Sequence, residues 1–130
     1  MQKSSSGAWR LWIPVGLYTA LIFWLSSAPR PIPPALRFPN VDKLLHILEY
    51  WPLGLLALRA SGGSFEKWPL WKIHLFAILW VLCTAAADEF YQRFTPMRIS
   101  SAWDAAADGI GGIIGQIVWR IRLALNRKAG

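Results

Sequence analysis

The chain has a single cysteine among its 130 residues. Cys83 has no intrachain partner, so there is no disulfide, and cysteine usage says nothing about redox compartment. Acid is scarce as well. Seven Asp and Glu stand against fourteen Lys and Arg, a formal net charge of +7, and charged residues make up only 16% of the chain. There is no internal repeat and no segment polar enough to form a separate soluble domain. No Ser-His-Asp order, phosphatase signature or other established catalytic motif is present. What is plentiful is apolar: 55% hydrophobic residues, nine Trp and a mean hydropathy of +0.33. Ordinary soluble domains stay near about 45–50% apolar even counting Gly. A basic chain suits nucleic acid or an anionic membrane surface. The apolar content favours the membrane and argues against nucleic acid.

Four apolar runs organise the sequence. The first, AWRLWIPVGLYTALIFWLSSA, covers 8–28, and the third, WPLWKIHLFAILWVLCTAAA, covers 68–87. Both have the length of about 20 apolar residues that a spanning helix needs. The second and fourth reach that length only when their polar ends are counted in. The expected fold is therefore all-α: a bundle of four transmembrane helices at 42–59, 103–121, 8–28 and 68–92, in one domain covering 1–130. Spanning segments are helical because lipid cannot satisfy backbone groups. Pro14 and Pro52 fall inside two of these helices and predict kinks. Five of the nine prolines lie in 29–40, which reads as an extended crossing. ASGGSFEK at 60–67 reads as a Gly/Ser turn, and RFTPMRISS at 93–101 as a third loop. Lys3, Arg10 and the small residues at 26–28 also resemble a signal peptide. The aromatic residues Trp12, Tyr18 and Trp24 favour a retained helix.

Basic residues set the expected orientation. Nine lie on the side of the termini and the 59–72 connection: Lys3, Arg10, Arg59, Lys67, Lys72, Arg120, Arg122, Arg127 and Lys128. The other side holds five, Arg30, Arg37, Lys43, Arg93 and Arg98. The positive-inside rule then puts both termini in the cytoplasm, giving a multi-pass protein of the cell membrane. Of the carboxylates only Glu66 is cytoplasmic. Asp42, Glu49, Asp88, Glu89, Asp104 and Asp108 gather at the outer face with His46 and Gln92.

Spacing sharpens this gathering. Asp42, His46 and Glu49 stand at i, i+4 and i+7, on one face of a helix. Asp104 and Asp108 stand at i and i+4, and Gly111 and Gly115 extend the stripe; Asp88 and Gln92 repeat the spacing. Glu49 lies roughly 10 Å inside its helix at 1.5 Å per residue, so it should face the bundle or a wet cavity. Plainer roles compete. Asp42 and Asp104 are candidate helix caps. The acids could form structural ion pairs with Arg93 or Arg98. The glycines of DGIGGIIG suit close packing, and Gly111–Gly115 is a GxxxG match that could join two copies of the chain. His74 stands alone near the other end.

DKLLHILEYWPLGLL and DEFYQRFTPMRISSAWDAAADGIGGIIG together resemble the two signatures of the VanZ-like family of bacterial membrane proteins, over roughly 10–120. Asp42, Lys43, His46, Tyr50, Leu53 and Gly54 match the first. Asp88, Glu89, Gln92, Pro96, Arg98, Asp104, Gly111 and Gly115 match the second. Two positions depart: Met97 stands where Gly is common, and Asp108 where Asn is common. The resemblance implies an integral protein of the cell envelope, in a family associated with resistance to the glycopeptide teicoplanin, and supplies no reaction.

Three functions fit the residues. The first is binding of an amphiphilic or lipid-linked envelope molecule, or a membrane partner, at the outer face. Lys43, Tyr50, Gln92, Arg93, Arg98 and Asp108 are its candidate contacts, beside the aromatic residues Phe90, Tyr91 and Trp103. The second is an enzyme acting on lipid-linked substrates, with His46, Asp42, Glu49, Asp88, Glu89 and Asp104 as candidate acid/base groups. Asp42, His46, Asp88 and Asp104 are its candidate ligands for a divalent metal. The third is a small proton- or ion-coupled transporter with Glu49 and His46 as a relay.

Overall fold

The computed structural model describes residues 7–29 and 32–129. Among them are four α-helices and no strand: α1 (Trp9–Ser26), α2 (Val41–Ser64), α3 (Leu70–Gln92) and α4 (Ala102–Ala129). Lys3 and Arg30, which entered the charge count, lie outside the described residues. α1 and α2 continue helically through Pro14 and Pro52.

Each helix buries one stripe. In α1 it is Val15, Ile22 and Ser26, at i, i+7 and i+11. In α2 it descends from His46, Glu49 and Tyr50 through Leu53, Gly54 and Ala57 to Ser61. α2 is central and packs on all three other helices, most extensively on α4. Glycine makes that last contact close. A Cβ on Gly54 would overlap the Gly112 carbonyl, one on Gly111 the Ile47 carbonyl, and one on Gly115 the Trp51 carbonyl. Gly111 and Gly115 thus pack against α2 of the same chain, so the surface they would offer a second copy is covered.

Hydrogen bonds at both ends show how the helices alternate. At one end Gln92 Nε2 donates to Ser26 Oγ at 3.2 Å and Thr95 Oγ1 to the Ser26 carbonyl at 3.3 Å, joining the ends of α1 and α3. Lys43 and Asp104 join the starts of α2 and α4 there. At the opposite end the Trp12 indole N–H donates to Ser64 Oγ at 2.9 Å. His74 Nδ1–H donates to Gln116 Oε1 at 2.6 Å, and Gln116 Nε2 returns a bond to the His74 carbonyl. His74 is thereby a clasp between α3 and α4.

Three boundaries differ from the sequence expectation. ASGGS is not a turn: α2 runs through it to Ser64. Ser61 is fully buried with its Oγ on the Ala57 carbonyl at 2.7 Å, and Trp12 holds Ser64, so tertiary contacts override weak glycine propensity. α4 continues past 121 to Ala129 because a helix leaving the core needs no apolar face, and Arg127 and Lys128 favour its last turn. Within the proline-rich crossing, Pro34–Leu36 form one 3-10 turn, closed by the Arg37 N–H on the Pro34 carbonyl at 3.2 Å.

One helix among the described residues, Leu70–Gln92, is long and apolar enough to cross a membrane by length and composition. The other three carry residues that dilute their hydropathy: Arg10 and three Trp in α1, and buried ionisable groups in α2 and α4.

Candidate functional site

The polar residues meet where α1 and α3 end and α2 and α4 begin. Three cross-links descend from the surface along α2, one per turn. Lys43 Nζ donates to both Asp42 Oδ2 and Asp104 Oδ1. His46 Nδ1–H donates to Asp108 Oδ1 at 2.8 Å. Tyr50 OH donates to Asp88 Oδ2 at 3.3 Å, and Gln92 Nε2 donates to the same oxygen at 2.8 Å. The i, i+4 spacing within α2, α3 and α4 aligns these links.

This arrangement revises the plainer roles. Asp104 does not cap α4. Its own N–H donates to Ser101 Oγ at 3.3 Å, so Ser101 caps while the carboxylate turns to Lys43. Asp42 sits in the first turn of α2, one residue inside the Val41 start. Asp42, Asp104 and Asp108 are paired by Lys43 and His46 rather than by Arg93 or Arg98. Arg93 is exposed, as are Phe90, Tyr91 and Trp103. Glu49 is buried at 9% exposure, facing the bundle as its depth predicted.

A pocket of about 290 Å³ opens at this end, just under the usual lower size of about 300 Å³ for small-molecule sites. Asp42, Leu45 and His46 of α2 line it, with Asp104 of α4, Gln92 of α3, Ile32, and Met97, Arg98 and Ile99 of the 93–101 loop. Lys43, Tyr50, Asp88 and Asp108 do not line it. Each hydrogen-bonds a residue that does or, for Tyr50, the carboxylate holding one. They are well placed to hold the lining side chains in one orientation.

The loop that carries Arg98 is itself fastened. Glu89 Oε2 accepts from Ser100 Oγ at 2.6 Å and from the Ser101 N–H at 3.0 Å. The Arg98 N–H bonds the Thr95 carbonyl at 3.3 Å across Pro96 and Met97. Met97 has φ 63°, so the turn follows the type II pattern, with Pro second and a positive-φ residue third. Among the described residues, Arg98 Nε and Nη2 are buried without a hydrogen-bond partner, as are one oxygen each of Asp88, Glu89 and Asp108.

Sequence reasoning assembled the right segments and assigned some partners wrongly. It missed Ser26, Ser100 and Ser101, whose hydroxyls fasten the site. Nothing distinguishes them in the sequence beyond lying at helix ends of the same depth. The metal candidates also regroup. Asp42 and Asp104 are held by Lys43, and Asp88 by Tyr50 and Gln92. The donors that converge are His46, Glu89 and Asp108, within 4.8 Å of one another.

The family signatures therefore coincide with one structural cluster. The VanZ/LLP1 family model matches residues 3–123. The chain belongs to the VanZ/LLP1 family. No curated protein and no solved structure matches it. Within this VanZ/LLP1 fold, both departures noted in the sequence fall at the site: Met97 in the turn that presents Arg98, and Asp108 fully buried against His46.

Proposed function

We propose that this VanZ/LLP1 protein is a four-helix, multi-pass membrane protein with cytoplasmic termini. Its polar pocket receives the anionic headgroup of an amphiphilic or lipid-linked envelope molecule at the outer face. The observation that carries the reading is Arg98. Two buried guanidinium nitrogens without a partner among the described residues stand at a pocket, where a phosphate or carboxylate would accept from both. Asp42 and Asp104 line the same pocket and share the Lys43 ammonium, which offsets one of their two charges and so lowers their repulsion of an anion.

The exterior supports the membrane part. Ile13, Leu17 and Leu21 of α1, Leu44 and Leu48 of α2, and Ile110, Ile113 and Ile117 of α4 are exposed, while the charged groups of this cluster turn inward. A soluble protein rarely leaves such apolar surface on every helix, and intramembrane polar groups face the interior. Exposed Trp9, Trp68 and Trp71 lie near one end and Trp24 and Trp103 near the other, as interfacial belts do. A proton relay is less well supported, because below Tyr50 the buried contacts turn apolar through Leu53, Ala60, Val81 and Ala85. The His46–Asp108 pair favours an enzyme, since a carboxylate orients the imidazole as in acid/base sites.

The test is binding of anionic phosphatidylglycerol against zwitterionic phosphatidylcholine to purified protein in nanodiscs. Arg98→Gln should weaken the anionic preference about tenfold or more, as loss of a charged hydrogen bond of about 1.5–3 kcal/mol implies. Lys67→Gln should leave it unchanged. Equal binding of both lipids by the unaltered chain would contradict the reading. Running the assay with a lipid-tailed glycopeptide tests the resistance link.

A further inference from the structure

Beneath the pocket wall, two buried carboxylates share an unusual state. Asp108 is fully buried; its Oδ1 accepts from His46 and its Oδ2 has no partner. Glu89 is 6% exposed; its Oε2 holds Ser100 and Ser101, and its Oε1 has no partner. A buried carboxylate oxygen left without a donor costs more than almost any other polar defect. The two carboxylates come from different helices, and each has one oxygen within 4.8 Å of a nitrogen of the same imidazole.

We propose that His46, Glu89 and Asp108 form a binding site for one divalent first-row cation, of the Zn²⁺ or Mn²⁺ class. One donor atom from each side chain lies within 4.8 Å of the others. Two ligand bonds of about 2.1 Å reach about 4 Å end to end, so small side-chain adjustments close the site on an ion. The donor set selects the class. The imidazole suits Zn²⁺ and the two carboxylates suit Mn²⁺, which also takes nitrogen, whereas Mg²⁺ and Ca²⁺ prefer oxygen alone. The cation would also supply the charge that the free oxygens lack. The site is already braced, because α2, α3 and α4 each contribute one ligand. The oxygen of Glu89 that would not bind the ion is fixed by two hydrogen bonds from the 93–101 loop. His46 lines the pocket, so the ion has a path of entry. This inference does not depend on the headgroup reading.

The experiment uses the full chain, purified in detergent, stripped with EDTA and free of added lipid. Binding of ZnCl₂, MnCl₂ and MgCl₂ is measured by calorimetry and by the shift in thermal unfolding. One Zn²⁺ or Mn²⁺ per chain should bind and raise the unfolding temperature, with Mg²⁺ far weaker. Asp108→Asn keeps an acceptor for His46 but loses the ionic ligand. Glu89→Gln does the same for the loop. Each should weaken binding at least about tenfold, since even second-shell changes cost about 10–100-fold. Glu66→Gln, on the exposed 65–69 connection, should bind as the parent does. The unfolding temperature without metal shows whether each variant folds; if one does not, the other and His46→Gln decide. No saturable binding to the unaltered chain, or equal binding by the folded site variants, would overturn the proposal. Headgroup binding measured in EDTA is read separately, so one idea can fail without the other.

Discussion

Met97 occupies a backbone conformation that suits glycine. Its φ of 63° follows Pro96 and precedes Arg98, and its side chain is 90% exposed, so no packing repays the strain. An L-residue in the left-handed region costs about 1–2 kcal/mol, partly offset in any glycine variant by unfolded-state entropy. Met97→Gly should therefore raise stability by about 0.5–1 kcal/mol, and Met97→Val should lower it, because β-branched residues tolerate positive φ least. Thermal unfolding in detergent checks both signs; no gain for Gly and no loss for Val would mean the turn relaxes otherwise. At this scale the sequence was partly legible. Pro-x-Arg pointed to a turn at Met97, and i, i+4 spacing put His46 and Asp108 on inward faces. Pairing was not legible. Whether Asp104 caps its helix or reaches Lys43 depends on how near α2 comes to α4, which helix periodicity does not encode.

The helices themselves read well in their middles and poorly at their ends. The lengths of the apolar runs locate all four, yet Gly and Ser disfavour helix interiors, so ASGGS reads as a turn in the sequence. Its helical state depends on Trp12 and Ala57, far away or on the preceding turn. This predicts opposite signs for two glycine substitutions. An added Cβ at Gly62 meets nothing within 4 Å, so Gly62→Ala should stabilise by up to about 1 kcal/mol. At Gly115 it would overlap the Trp51 carbonyl, so Gly115→Ala should destabilise by about 1–3 kcal/mol, as overpacking does. Unfolding of both variants under the same conditions is the check. Destabilisation by Gly62→Ala would restore the turn reading, and a neutral Gly115→Ala would mean that α2 and α4 are not in backbone contact.

The whole molecule turns the usual distribution partly inside out. Acids, His46 and Gln92 are buried at one end, while leucines, isoleucines and tryptophans cover the outside. The gathering of the acids at one end was legible because three motif segments share a depth in the chain. The volume of the pocket and its opening between α2, α4 and the 93–101 loop were not, since they follow from glycine-mediated helix contact and from a single turn. The central claim is that four helices cross the membrane and present this pocket outward. Alkaline phosphatase, active only outside the cytoplasm, tests it when fused after Asn40 at the pocket end and after Glu66 at the opposite end. Activity after Asn40 and none after Glu66 is the result the account predicts; the reverse pattern, or no activity at either point, would contradict it.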